Sequence, residues 1–171
     1  LTANPLSFSS YAGSGKPVTI AKFINFCTSL DAYAEFTCGV ENSTDWRSNP
    51  QTANRFMEYI GDPSGTTPGG SMRVSEGVGY AEPLLKNTKG IIFEFGNEVW
   101  GGYDATPGAV NHNAQIGTDY VAYGQWCRSI AGIIKASPYY DSTKIFLSYS
   151  GRYPSPSSSY GLHEKLFTGD R

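Results

Sequence analysis

Helix-period and strand-period segments alternate along this 171-residue chain, and its long polar loops follow the strands. Together these patterns predict an α/β fold: a partial (β/α)8 barrel of parallel strands and crossover helices. Alternation of this kind builds parallel sheet, either barrel or doubly wound. The polar loops "ENSTDWRSN", "GNEVWGGYDATPGAVNHN" and "SGRYPSPSSSYG" favour the barrel, because the carboxyl ends of barrel strands carry the site. Three strands are legible, with a fourth only if the leader supplies it, and an eight-fold barrel takes about 250 residues. Residues 1–171 are therefore expected to be a single domain or a fragment holding about strands two or three to five.

The elements follow in order. In "PVTIAKFINFCTSL", Val18, Ile20, Ala21, Ile24, Phe26 and Cys27 recur at helical spacing behind Pro17, which suits a first turn, and a helix is expected over 17–30. "AYAEFTCGV", 32–40, is rich in strand-forming residues and bounded by Gly39. Ser48 or Asn49 caps a second helix that begins near Pro50, buries Ala53, Phe56, Met57 and Ile60, and ends at Gly61. "GDPSGTTPGGS" is expected to be a turn-rich loop, and "MRVSEGVGYAEPLLKNTKG" irregular with a short helical turn. The strand "IIFEF" comes next. A helix over 114–137 carries Ile116, Tyr120, Tyr123, Cys127, Ile130 and Ile134 on one stripe, and "KIFLSYS" is the last strand.

Composition narrows the function classes. Only 13 Lys and Arg and a net charge of −2 leave no basic footprint, so nucleic acid is not an expected partner. No apolar run approaches the roughly 18 to 20 residues that span a bilayer, and neither a membrane nor a signal-peptide layout is expected from the sequence. Charged residues make up 16%, a balance that suits neutral, hydroxyl-rich ligands outside a cell, hence an extracellular or secreted location. Cys27, Cys38 and Cys127 form no metal spacing and are expected as buried thiols, with a Cys27–Cys38 bridge the alternative. His112 and His163 are isolated, and no phosphate-binding loop occurs. No metal and no cofactor are expected.

The densest chemistry is "GIIFEFGNEVWGG", 90–102. Side chains alternate along a strand, so Glu94 and Glu98 share a face, which suggests a pair of catalytic carboxylates. Four residues at about 3.3 Å each put them about 13 Å apart, beyond the ~5 Å of a retaining glycosidase pair and the ~6.5–9.5 Å of an inverting one. Glu98 at the strand mouth is the candidate. Glu94, deeper, needs a buried cationic or hydrogen-bonding partner.

"FEFGNEVWGG" resembles the fourth-strand signature of the clan of retaining (β/α)8 glycoside hydrolases, in which an Asn-Glu pair ends the strand. "ANRFMEYIGD", "MRVSEGVGYAEP" and "YGQWCRSIAGIIKA" are similar in order and spacing to its α-L-arabinofuranosidase branch, and the likeness runs over about 32–150. It implies that Glu98 is the general acid/base and that Asn97 hydrogen-bonds the sugar hydroxyl beside the anomeric carbon. Trp100 would stack on a sugar face. Asn42, Trp46, Tyr103 and Tyr153, in loops after strands, are candidates to line a carbohydrate cleft, packing being the ordinary alternative. The likeness gives Arg73 a structural role as a partner for Glu94.

The clan's nucleophile is a second Glu ending the seventh strand. After Glu98 come Asp104, Asp119, Asp141, Glu164 and Asp170, and none ends an apolar strand. The nucleophile is therefore expected outside this chain. Hydrolysis of polysaccharide or its arabinose-like side chains is the expected activity of the parent protein, the isolated chain being inactive. The alternative is a non-catalytic carbohydrate-binding or assembly protein on a glycosidase scaffold, and self-association or a partner segment would complete the barrel.

Overall fold

Thr19 opens the first helix of the computed structural model, which describes residues 18–38, 51–77, 81–95 and 120–149. Its Oγ1 accepts the N–H of Lys22 at 3.2 Å, satisfying one of the donors that a helix start leaves without an internal acceptor. Helix α1 runs Ile20–Ser29 and buries Ile20, Ala21, Ile24 and Cys27, so the cap is Thr19 and the first turn begins at Ile20, later than expected; Pro17 lies outside the described residues. Phe26, expected on the buried stripe, is 60% exposed. Two residues turn a helix by about 200°, so Phe26 faces away from Ile24.

Strands β1 Ala34–Cys38, β2 Ile91–Phe95 and β3 Ile145–Tyr149 form a parallel sheet in the order β1-β2-β3. The register aligns Ala34, Ile91 and Ile145 in one cross-strand row and Cys38, Phe95 and Tyr149 in another, with the β2 residue in the middle of each. All three strands therefore begin at one edge and end at the other. Strands β1 and β3 start later than the sequence pattern suggested, at Ala34 and Ile145, their expected ends at 39–40 and 150 lie outside the described residues, and β2 matches the pattern. This is a mixed helix and strand fold with parallel pairing.

Helix α2, Gln51–Gly61, buries the expected Ala53, Phe56, Met57 and Ile60 together with Thr52 and Tyr59. Helix α3, Pro68–Ser75, corrects the expectation of a continuous loop. Thr67 caps it by accepting the N–H of Gly70 at 3.1 Å, and Pro68 at the first position has no N–H to satisfy. A 3-10 turn follows at Leu84–Lys86. Helix α4 is Tyr120–Ala136, and its expected start over 114–119 lies outside the described residues.

The core sits between the sheet and α1, α2 and α4. Phe23 of α1 meets Phe36 edge-on at 5.4 Å, and Phe56 of α2 meets Phe36 and Phe93, both at 5.1 Å. Trp126 of α4 meets Phe95 at 5.8 Å. Phe36, Phe93 and Phe95 all point to one face, as strand alternation requires. Three helices therefore cover the same side of the sheet. The other side carries two cross-strand rows, Glu35–Ile92–Phe146 and Thr37–Glu94–Ser148, in which Glu35 and Thr37 are exposed and Phe146 is 40% exposed.

The cysteines are buried and free, and no Cys27–Cys38 bridge exists. The carbonyl of Cys27 accepts the N–H of Ala32, which places Cys27 at the start of β1. Cys38 ends that strand, four residues beyond Ala34 and about 13 Å further on. A disulfide needs Cα atoms within about 7 Å.

Candidate functional site

The parallel register brings Cys38, Phe95 and Tyr149 side by side at the carboxyl edge. The chain segments that hold Asn42 and Trp46, then Asn97, Glu98, Trp100 and Tyr103, then Tyr153, follow these three residues in turn. Those seven candidates lie outside the described residues. Glu94, Arg73 and Asp141 can be placed.

Glu94 lies on the face away from the helices. Its Oε2 accepts the hydroxyl of Thr37 at 3.2 Å, its neighbour in register. The sequence called for a buried partner, and this hydrogen bond is exposed. The adjacent Cys38 is a neutral thiol: burial pushes its pKa well up, and nearby Cys127 and Glu94 push it further. It is not an activated nucleophile.

Arg73 does not pair with Glu94. It sits on α3, which packs on α2 at the helix-covered side, whereas Glu94 projects from the opposite face of the sheet. Its guanidinium is fully buried and donates to the carbonyls of Tyr59 at 2.6 Å and of Asp62 and Ala81. Arginine suits this task, because its fixed fork of donors reaches several carbonyls at once and ties the end of α2 to the segment entering the 3-10 turn.

Asp62, next to this arginine, was not singled out from the sequence. Its Oδ1 accepts the N–H and hydroxyl of Ser64 at 2.8 and 2.7 Å. Its Oδ2 accepts the N–H of Thr66 and both the N–H and hydroxyl of Thr67 at 3.0, 2.9 and 2.8 Å. Burial alone would raise the Asp62 pKa, but the Ser64 and Thr67 donors outweigh it and hold the carboxyl far below its ordinary value. The pattern Asp-x-Ser-x-Thr-Thr is the signal that could have found it, since an aspartate that collects donors two, four and five residues ahead organises a turn.

Asp141 lies at the opposite edge, in the turn entering β3, where its Oδ1 accepts the N–H and hydroxyl of Thr143 at 2.9 and 2.6 Å. It is a turn residue at the amino edge and cannot supply a nucleophile at the carboxyl edge. Among the described residues no group of three or more His, Cys, Asp or Glu could hold a metal ion, and no helix is long and apolar enough to cross a membrane. Comparison with protein-family models, with curated proteins and with solved structures gives no match.

Proposed function

We propose that this chain is part of a retaining (β/α)8 glycoside hydrolase in which Glu98 is the general acid/base. The observation that carries the reading is the position of β2. It is flanked by parallel neighbours on both sides, and it runs directly into Gly96-Asn97-Glu98. Ligands of parallel α/β sheets bind outside the carboxyl ends of the strands, where a barrel assembles its catalytic groups. Among the described residues the helices that pack on the sheet lie on one face and the strand order follows the sequence, which agrees with barrel winding.

In this reading Glu98 protonates the departing glycosidic oxygen, then takes a proton from the water that releases the sugar. Asn97 holds the hydroxyl beside the anomeric carbon, and Trp100 offers an aromatic face to the ring's C–H surface. The substrate is a polysaccharide or its arabinose-like side chains, encountered outside the cell. The nucleophile comes from beyond this chain or from a partner segment.

A second reading is favoured by one sequence observation: no acid after Glu98 ends an apolar strand. In that reading the scaffold binds carbohydrate without cleaving it. Incubation of the full polypeptide with soluble arabinan and arabinoxylan separates the two. Release of reducing sugar whose first-formed anomer keeps the substrate's configuration supports hydrolysis by double displacement. Binding with no new reducing ends supports the second reading, and release of the inverted anomer rejects retention.

A further inference from the structure

A cavity of about 830 Å³ opens at the amino edge of the sheet, lined by the segments around Gly61, Ala81–Lys86 and Pro138–Lys144. Its position is fixed by β3: the carbonyl of Lys144 accepts the N–H of Ile91 at 2.7 Å, so its wall adjoins the start of β2. The carboxyl edge is a strand away, roughly 15 Å. The cavity is therefore separate from any site built on Glu98.

The walls combine Tyr139 and Tyr140 with Pro63, Pro83 and Pro138, and both tyrosines are half-buried. Their charges are already engaged. Lys144 Nζ donates to the carbonyls of Leu85 and Lys86 at 2.6 and 3.0 Å. Lys86 pairs with Glu82 at 2.9 Å, and Asp141 is held by Thr143. Two cations and two anions cancel, so the walls offer no net attraction to phosphate, carboxylate or ammonium groups. What they offer is aromatic surface, carbonyls and hydroxyls, the combination that recognises a neutral ring with apolar faces and polar edges.

The wall is also preorganised. A Cβ on Gly61 would lie 2.4 Å from Tyr139 Cβ, so the glycine lets the tyrosine backbone approach α2. Burial, followed by the nearby carboxylates of Asp62 and Glu58, raises the Tyr139 pKa, and its hydroxyl remains a neutral donor.

We propose that this cavity is a second saccharide-binding subsite, holding a neutral sugar unit of a polysaccharide at the edge opposite Glu98. The ligand class rests on the function proposed above, whereas the cavity and its neutrality do not. A volume within the ~300–1,000 Å³ usual for small-ligand pockets accommodates one or two sugar rings.

The test is binding of soluble arabinoxylan to the 171-residue chain by affinity electrophoresis, using the unchanged chain, Tyr140→Ala, Tyr139→Phe and Trp100→Ala, each checked for folding by circular dichroism. The expected result is at least a fivefold loss in Tyr140→Ala, a smaller loss in Tyr139→Phe, and only a partial loss in Trp100→Ala, because the Tyr139–Tyr140 wall still holds the polysaccharide when the sugar platform beside Glu98 is removed. In the unchanged chain, nitration of Tyr139 and Tyr140 should slow at least fivefold when arabinoxylan is added, a readout that needs no variant to fold. Full binding in folded Tyr140→Ala, together with unprotected tyrosines, overturns the subsite. If Trp100→Ala alone abolishes binding, the subsite also fails while the Glu98 reading stands. If the chain binds no arabinoxylan the subsite is rejected, whereas the Glu98 reading is judged separately by hydrolysis.

Discussion

The two faces of the sheet are built from the same strands and have opposite fates. Phe36, Phe93 and Phe95 disappear beneath α1, α2 and α4, while Glu35, Thr37 and Phe146 one position along remain in contact with solvent. The difference teaches where the fold's stability and where its chemistry reside. The covered face is apolar and interlocked by edge-on rings. The open face carries a carboxylate that accepts a threonine hydroxyl, beneath the edge from which Asn97 and Glu98 continue.

The largest effect should come from the covered face. Phe93, with no exposed surface, touches both Phe36 and Phe56, and Phe93→Ala should cost about 3–5 kcal/mol. Urea denaturation checks this, with a loss below 1 kcal/mol contradicting the described core. Ile92→Ala, on the half-buried open face, should cost clearly less, about 1 kcal/mol.

The α2–α3 contact extends the comparison, because it stabilises the helices of the covered side. A Cβ at Gly69 would lie 2.1 Å from the carbonyl oxygen of Arg55 and 2.7 Å from the amide nitrogen of Tyr59. Backbone atoms cannot swing aside, so Gly69→Ala should cost about 2–4 kcal/mol and shift the melting temperature downward.

Asp62→Asn removes a carboxylate that gathers five hydrogen bonds, and about 2–3 kcal/mol should be lost at neutral pH. The native pKa is depressed, so this stabilisation is fully present above the unfolded value of about 3.9 and is lost as pH falls below it. The stability gap between the unchanged chain and Asp62→Asn should accordingly be flat above about pH 5 and narrow toward pH 2. A gap that widens in acid would reverse the sign and refute the assignment. At the other extreme, Lys86→Ala breaks an exposed ion pair and should change stability by less than about 0.5 kcal/mol.

Periodicity was enough to find α2 and β2, because each buries residues at the spacing its geometry demands. It misassigned Phe26, whose apolar side chain was counted without regard to its angle around α1. Helix α3 was hidden by its own composition: "TTPGGSMRVS" contains two glycines, and only the Thr-Pro start identifies it. The glycines serve close packing on α2, which a single sequence does not display. The resemblance paired Arg73 with Glu94, whereas the buried guanidinium donates to backbone carbonyls, because spacing along the chain does not tell which face of the sheet a helix covers. The cavity at the amino edge was missed for a related reason. Its walls come from three separated segments, and "SPYYD" reads as an ordinary helix ending.

The assignment of Glu98 is tested most directly by leaving-group dependence in the full polypeptide carrying Glu98→Gln. Loss of the acid should slow hydrolysis of alkyl glycosides, which need protonation, by about 10²–10⁴-fold. Aryl glycosides with activated leaving groups should lose less in the first step, and added azide should restore their turnover by replacing base-activated water. Unchanged turnover of both substrate classes would contradict Glu98 as the acid/base.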